Sequence, residues 1–501
     1  MRRRSLLTAL TAGTVGLAGC SFRWGPEDED AQPTTLDSAG EPTPPETTAT
    51  TTREPAEGGE IDEPVQSPGG RVVDVAGGPR TVAVDPRSVR YADRVHAAIG
   101  LLAPEEAPTL LGAILQNIRD HEVVVETERL PVIGRSFARL DTRRDALPGL
   151  VFAPTDRNEL AERVPDVERG PEGYWRLASD AADTPPYPDR FRLRPGERVR
   201  ADCHLVAPPD TTGWPTGTYR NVWDGGNVTL NVWDSERPGP TAASRFGDRS
   251  VPPLGDDGIT VTWYHEAGPE TTAYVVPETE RLDLPGSVTF TAVNHARSPL
   301  GCGYWRLYKL VDGAYYNLNP SLRADTCIQL LPGQRTSHRL HAFTDEAVGD
   351  DDATDEQVVG HLGGGVYAVA SGYAPRGELV GALVELDAPP AEVRPTDDVI
   401  ARREGSTMTV DDPRRSDPDT DPATATLTWT DTAERTLIPE QIAQPWNRAL
   451  RNTIPYLDGD VERVVLETAM DVVARAVEFG IADYTFAYRG DAYRLTVERD
   501  T

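Results

Sequence analysis

The chain has almost no lysine. Lys309 is the only one among 501 residues, and every other strongly basic side chain is arginine, against 80 carboxylates. The formal net charge is −30 and the isoelectric point about 4.7. A surface of that sign repels nucleic acid and anionic lipid headgroups, so neither is expected as a partner. Cysteine is scarce too: four residues, at 20, 203, 302 and 327, with no Cys-x-x-Cys to suggest a zinc knuckle or a redox motif. There is no Gly-x-Ser-x-Gly elbow and no His-Glu-x-x-His, so no catalytic residue, metal ligand or cofactor is assigned. The apolar run Leu6–Leu17 is too short for a permanent spanning helix, which needs about 20 residues. Apolar content of 38% is still enough for packed cores.

What is present begins at that short run. Arg2-Arg3-Arg4 precedes it, and Leu17-Ala18-Gly19-Cys20 closes it with small residues directly before a cysteine. The pattern resembles a bacterial or archaeal lipoprotein signal, and Arg3-Arg4-Ser5-Leu6-Leu7 resembles a twin-arginine export motif. The resemblance implies a signal over residues 1–20, lipid on Cys20, and anchoring to the extracellular face of the cell membrane. Residues 21–70 are then read as a disordered stalk. They are rich in Pro, Thr and Glu, as in Glu41-Pro42-Thr43-Pro44-Pro45-Glu46, and cannot bury enough apolar surface to order themselves. Acidic excess with so little lysine looks like a protein of a salt-loving archaeon. Molar salt shrinks the Debye length to about 3 Å and screens the self-repulsion.

Beyond residue 71 the chain repeats itself. Gly173-Tyr174-Trp175-Arg176-Leu177 recurs as Gly303-Tyr304-Trp305-Arg306-Leu307. Leu111 to Asn117 corresponds to Val288 to Asn294. Leu193-Arg194-Pro195-Gly196-Glu197-Arg198 corresponds to Leu330-Leu331-Pro332-Gly333-Gln334-Arg335, and Gly217-Thr218-Tyr219 to Gly365-Val366-Tyr367. Shared elements in one order indicate a duplicated domain, residues 71–240 and 241–390. Each copy reads as β. Val288, Phe290 and Ala292 alternate with polar residues, as do Val199, Ala201, Cys203 and Leu205 with Arg200, Asp202 and His204. Asp312-Gly313 between two aromatic runs predicts a hairpin. The order of elements is similar to the bacterial immunoglobulin-like domains of surface lipoproteins, over roughly residues 95–235 and 285–390. That resemblance implies two β-sandwiches, with an insertion in the first at about 120–170, and it implies no chemistry.

The C-terminal part changes character. A linker is expected over 391–423, then a small α+β domain over 424–501. Its helices are expected at Ile438–Ile442 and Met470–Val477, and its strands at Thr424–Trp429, Val461–Leu466, Tyr484–Tyr488 and Ala492–Val497. Arg489-Gly490-Asp491 is read as a tight turn rather than as an adhesion tripeptide. The whole arrangement resembles a family of halophilic-archaeal surface lipoproteins with immunoglobulin-like domains.

In an exported chain, cysteine pairing is expected. A Cys302–Cys327 bridge would close a loop of about 25 residues and stabilise it by roughly 3 kcal/mol. Cys203, on the apolar face of its strand, is read as a buried free thiol. His204, His338 and His341 lack a visible third partner for a metal. Trp263-Tyr264-His265-Glu266 is read as a half-buried strand, Asp350-Asp351-Asp352 as a solvated loop, and Asn227-Val228-Thr229 as a possible N-glycosylation sequon. The expected function is a non-enzymatic binding or structural role in the cell envelope, toward an envelope protein or glycan. The alternative is a solute- or glycan-binding lipoprotein serving a transporter, which would present Trp175 and Trp305 to solvent. A hydrolase is the third class.

Overall fold

Alternating apolar residues build most of this chain into β-sheet, and the strands pair into two sandwiches followed by one further sheet. A computed structural model describes residues 66–499 except 131–137, 140–148, 179–186, 210, 212, 224–225, 255–258, 319–327, 348–355 and 477–482. The expected signal, Cys20, nearly all of the stalk, Cys327 and Asp350–Asp352 lie outside the described residues. Residues 60–501 belong to one compact unit.

The first sandwich faces two sheets across a core that includes Ile99, Leu111, Leu115, Leu205, Tyr219 and Leu230. One sheet runs Val72–Asp74, Arg80–Asp85, Gly226–Asp234, Gly217–Trp223 and Ala138–Arg139; the other is centred on Val95–Leu102, Leu110–Asn117 and Cys203–Val206. The domain starts before residue 71, because Gly70 exchanges backbone hydrogen bonds with Leu101.

The second sandwich sets Ala273–Pro277, Gly286–Asn294, Arg335–Ala342 and Glu356–Val359 against Thr260–Trp263, Glu378–Asp387, Gly365–Ser371, Trp305–Val311 and Ala314–Asn317. Its first strand, Thr260–Trp263, pairs in parallel with its last, Glu378–Asp387. The expected hairpin is there: Asp312 and Gly313 both have positive φ, the geometry of a two-residue turn that matches strand twist. Both sandwiches are immunoglobulin-like.

Two hydrogen-bond clasps recur in both copies. Asn117 and Asn294 each end an inner strand and are fully buried. The Asn117 amide donates to the Leu193 carbonyl at 3.0 Å, and the Asn294 amide to the Leu330 carbonyl at 2.8 Å. Gly196 N–H donates to the Asn117 carbonyl, and Gly333 N–H to that of Asn294. So the Leu-x-Pro-Gly turn is tied to the buried asparagine in the same way twice. Tyr219 and Tyr367 form the second clasp: each hydroxyl donates to the carbonyl four residues upstream, Pro215 and Gly363, as a tyrosine corner does.

Other expectations need correction. The recurrent pentapeptide is not structurally equivalent. Trp305–Val311 pairs with the tyrosine-corner strand of its sandwich, whereas Trp175–Leu177 pairs with Val167–Arg169. In the first sandwich the place beside the tyrosine-corner strand belongs to Ala138–Arg139, with Tyr219 opposite Arg139 as Tyr367 is opposite Lys309. The insertion therefore lies later than 120–170. Val123–Glu126 pairs with Arg190–Leu193 much as Leu300–Cys302 pairs with Gln329–Leu330, and the extra chain runs between Arg139 and Arg190. Asp202, expected on a solvent face, is fully buried and accepts from Arg200 Nε at 2.6 Å. The strand expected through Glu266 stops at Trp263 and turns into one 3-10 turn, Tyr264–Glu266.

Residues 391–423 are not a linker. They supply the hairpin Ile400–Glu404 and Thr407–Asp411, and Thr407–Asp411 pairs in parallel with Arg463–Ala469. With Pro422–Trp429, Asp483–Tyr488, Asp491–Arg499 and the short Arg435–Thr436 they complete a seven-stranded sheet. The helices Pro439–Ile442, Arg448–Arg451 and Met470–Ala476 make the domain α+β, and Val473, Leu450 and Ile442 pack into its core. Arg489 and Gly490, both at positive φ, form the tight turn.

Candidate functional site in the cleft between the sandwiches

The last hairpin of the first sandwich alternates cleanly. Tyr219, Val228, Leu230 and Val232 enter the core, leaving Thr218, Arg220, Thr229, Asn231 and Trp233 on the opposite face. Thr218 stands opposite Asn231, and Arg220 opposite Thr229. The second sandwich lays its Leu-x-Pro-Gly turn on this face. Gly333 has φ +75, and a Cβ placed there would sit 2.3 Å from Asn231 Cβ, so glycine is required twice over. The His295 ring stacks on Trp233, centroids 5.7 Å apart and 3° from parallel, with Tyr274 edge-on at 5.9 Å. Its Nδ1–H donates to the Pro238 carbonyl. Burial, helped by the Arg335 charge, lowers its pKa to about 4, so the ring is neutral at pH 7. Gln334 donates to Asp85 at 3.2 Å, and Arg297 pairs with Asp74 across the same junction.

Beside this contact the two domains leave a cleft of about 540 Å³, a size suited to a small ligand. Its walls carry hydroxyls, amides and two exposed arginines, Arg220 and Arg335, beside the apolar Val232, Ile328 and Leu330, and none of the described residues that line it is a carboxylate. Neither arginine is ion-paired among the described residues. Asn231 is buried; its Oδ1 accepts from Thr218 at 2.9 Å, while its Nδ2 finds no protein acceptor.

A second cleft, about 400 Å³, lies between the second sandwich and the C-terminal domain. His361, in a left-handed backbone conformation, accepts there from Arg451 at 3.1 Å. Burial and then the Arg451 charge lower its pKa. Asp345, Glu346 and Glu392 share the walls with Arg394 and Arg451, so the lining carries both signs.

The residues singled out from sequence are scattered. Cys203 is free and buried, 3.2 Å from the Tyr187 hydroxyl, and burial pushes its thiol up to about 12. Cys302 is engaged in a bridge, and its expected partner Cys327 lies outside the described residues, so the pairing is taken up below as a proposal. Asn227 is exposed at the start of the Gly226–Asp234 strand. His338 is buried and stacks on Trp305 at 4.9 Å, while His204 and His341 are half-buried on separate sandwiches. Among the described residues no three His, Cys, Asp or Glu converge as metal ligands. Trp175 and Trp305 are half-buried against apolar neighbours and neither lines the cleft. Sequence reasoning missed Arg220, Asn231 and Arg335. The polar alternation of the last hairpin was the local signal for Arg220 and Asn231; Arg335 lies on a strand of the other sandwich.

No protein-family model matches the chain, and no curated protein matches it. The β-glucosidase EmGH1 of Erythrobacter marinus is similar at 14% identity and a TM-score of 0.14, over 23% of this chain and only 15% of its own. A Corynebacterium diphtheriae protein described as membrane anchored is similar at 8% identity and a TM-score of 0.14, over 80% and 82% of the two chains. The FN1–FN3 domains of chicken CNTN1 reach 10% identity and a TM-score of 0.10, over 67% and 81%. None of these carries an argument about this chain, whose fold rests on its own strand pairing.

Proposed function

We propose that this protein is a lipoprotein held on the extracellular face of the membrane through Cys20, and that it binds a component of the cell envelope rather than transforming it. The anchor reading rests on Leu17-Ala18-Gly19-Cys20 and the arginines before it. The Pro/Thr-rich stalk would hold the folded body away from the membrane, and the acidic surface suits it to strong brine. A Cys302–Cys327 bridge fits an oxidising exterior, and Asn227 is placed where a glycan would meet solvent.

The observation that carries the binding role is the cleft between the sandwiches. Its described lining carries hydroxyls, amides and two arginines but no carboxylate, and it is framed by two domains that the Gly333 turn and the His295–Trp233 stack hold together. Two measurements test the reading. Cys20→Ser should release the protein from the membrane fraction or leave it unprocessed; an unchanged membrane fraction refutes the anchor. Gln329→Trp, at an exposed position lining the cleft, should reduce retention of the protein on purified envelope material. Unchanged retention refutes the cleft as the binding site.

A further inference from the structure

We infer that the cleft between the sandwiches takes an acidic saccharide, a short sugar chain bearing carboxylate or sulfate groups. The inference rests on the cleft being the binding site and adds the chemistry of what it binds.

Charge is the first argument. The chain carries 80 acidic against 50 basic residues, yet among the described residues this cleft is lined by Arg220 and Arg335 and by no carboxylate. Elsewhere arginines are commonly paired, as Arg71 is with Asp85 and Arg448 with Asp412. Among the described residues Arg220 and Arg335 have no such partner, although acidic residues are abundant enough to have supplied one. A guanidinium offers a planar fork of donors that fits a carboxylate or a sulfate face on. Molar salt removes long-range attraction but leaves such direct contacts in place.

The second argument is the rest of the lining. Thr229, Gln329 and Asn231 offer neutral donors and acceptors, which match sugar hydroxyls. Asn231 matters most, because it is buried with its Oδ1 engaged and its Nδ2 without a protein acceptor. An unmet amide donor in such a place is filled by an acceptor that arrives with the ligand or with water. Tyr373, half-buried at one wall, adds a ring face of the kind sugar rings lie against. A free inorganic anion would use the arginines alone; the hydroxyl-matching wall is what points to a saccharide.

The test is calorimetric titration of the detergent-solubilised full-length protein in molar potassium chloride. The probes are a trigalacturonate, a sulfated chondroitin tetrasaccharide, a neutral galactotriose and sodium sulfate. At least one acidic saccharide should bind at least tenfold more tightly than galactotriose or sulfate. Arg220→Gln and Arg335→Gln should each weaken it at least tenfold with an unchanged melting temperature, since both side chains are exposed. Gln329→Trp should abolish it. Equal binding of the neutral and acidic sugars overturns the inference, as does sulfate binding as tight as the saccharides or no binding of either acidic probe. Envelope retention that Gln329→Trp removes but both arginine variants keep would leave the binding site standing and dismiss the acidic ligand. Retention indifferent to Gln329→Trp would dismiss the site itself.

Discussion

The single lysine of the chain, Lys309, is buried against Glu440 of the C-terminal domain. Lys309 lies on the inner strand Trp305–Val311 of the second sandwich, and Glu440 on the short helix Pro439–Ile442. The two side chains are 10% and 2% exposed. Lys309 Nζ also donates to the Gly364 carbonyl at 3.0 Å and stands 5.2 Å from the centroid of the Tyr367 ring. Around this pair, Ile438 enters the core of the sandwich and Gln444 donates to the Gly360 carbonyl at 2.9 Å.

Lys309→Met should leave the Glu440 carboxylate buried without its partner and destabilise the protein by about 3–5 kcal/mol. The double variant Lys309→Met, Glu440→Leu should recover most of that, because two apolar groups satisfy each other. Denaturant titration of the three variants checks it; a double variant no better than the single one would show that the pair contributes more than mutual neutralisation.

Asn117→Ala and Asn294→Ala should cost similar amounts, about 2–3 kcal/mol each, by leaving buried carbonyls without donors. Thermal melts compare them directly. A large loss at one position and none at the other would mean that the two clasps do different work.

His295 makes stability fall on acidification. Its folded pKa is near 4, below the ordinary value of 6.5, so the unfolded chain holds the proton more tightly. Its contribution is complete above about pH 6.5 and is lost as pH falls toward 4, a change on the order of 3 kcal/mol. The difference in melting temperature between wild type and His295→Gln should shrink across that interval. A difference constant with pH would put the titration elsewhere.

Transfer from molar to 0.1 M salt should lower the melting temperature progressively, because the Debye length grows to about 10 Å and like charges interact again. A melting temperature indifferent to salt would sink the reading of the charge as an adaptation to brine.

The sequence told most where local chemistry decides. Asp312-Gly313 announced its hairpin because few residue pairs accept two positive φ angles, and Cys203 announced its burial by strict alternation along its strand. The buried asparagines and the Leu-x-Pro-Gly turns were visible as paired motifs, since each depends on the other. The repeated Gly-Tyr-Trp-Arg-Leu misled, because identical letters favour a strand without choosing its neighbour. Ile400–Glu404 reads as linker because an outermost strand has one neighbour and mostly polar side chains, which blurs its period. The cleft was illegible for a different reason. Arg220 and Arg335 are brought together by the packing of two domains, and no window of sequence contains both.

The parallel pairing of Thr260–Trp263 with Glu378–Asp387 has a mechanical meaning. When the two ends of the second sandwich are pulled apart, parallel first and last strands slide along each other, so their hydrogen bonds share the load in shear instead of opening one by one from an end. The strand Arg281–Asp283 adds a second parallel seam to the same last strand. A domain laced this way resists tension along the chain.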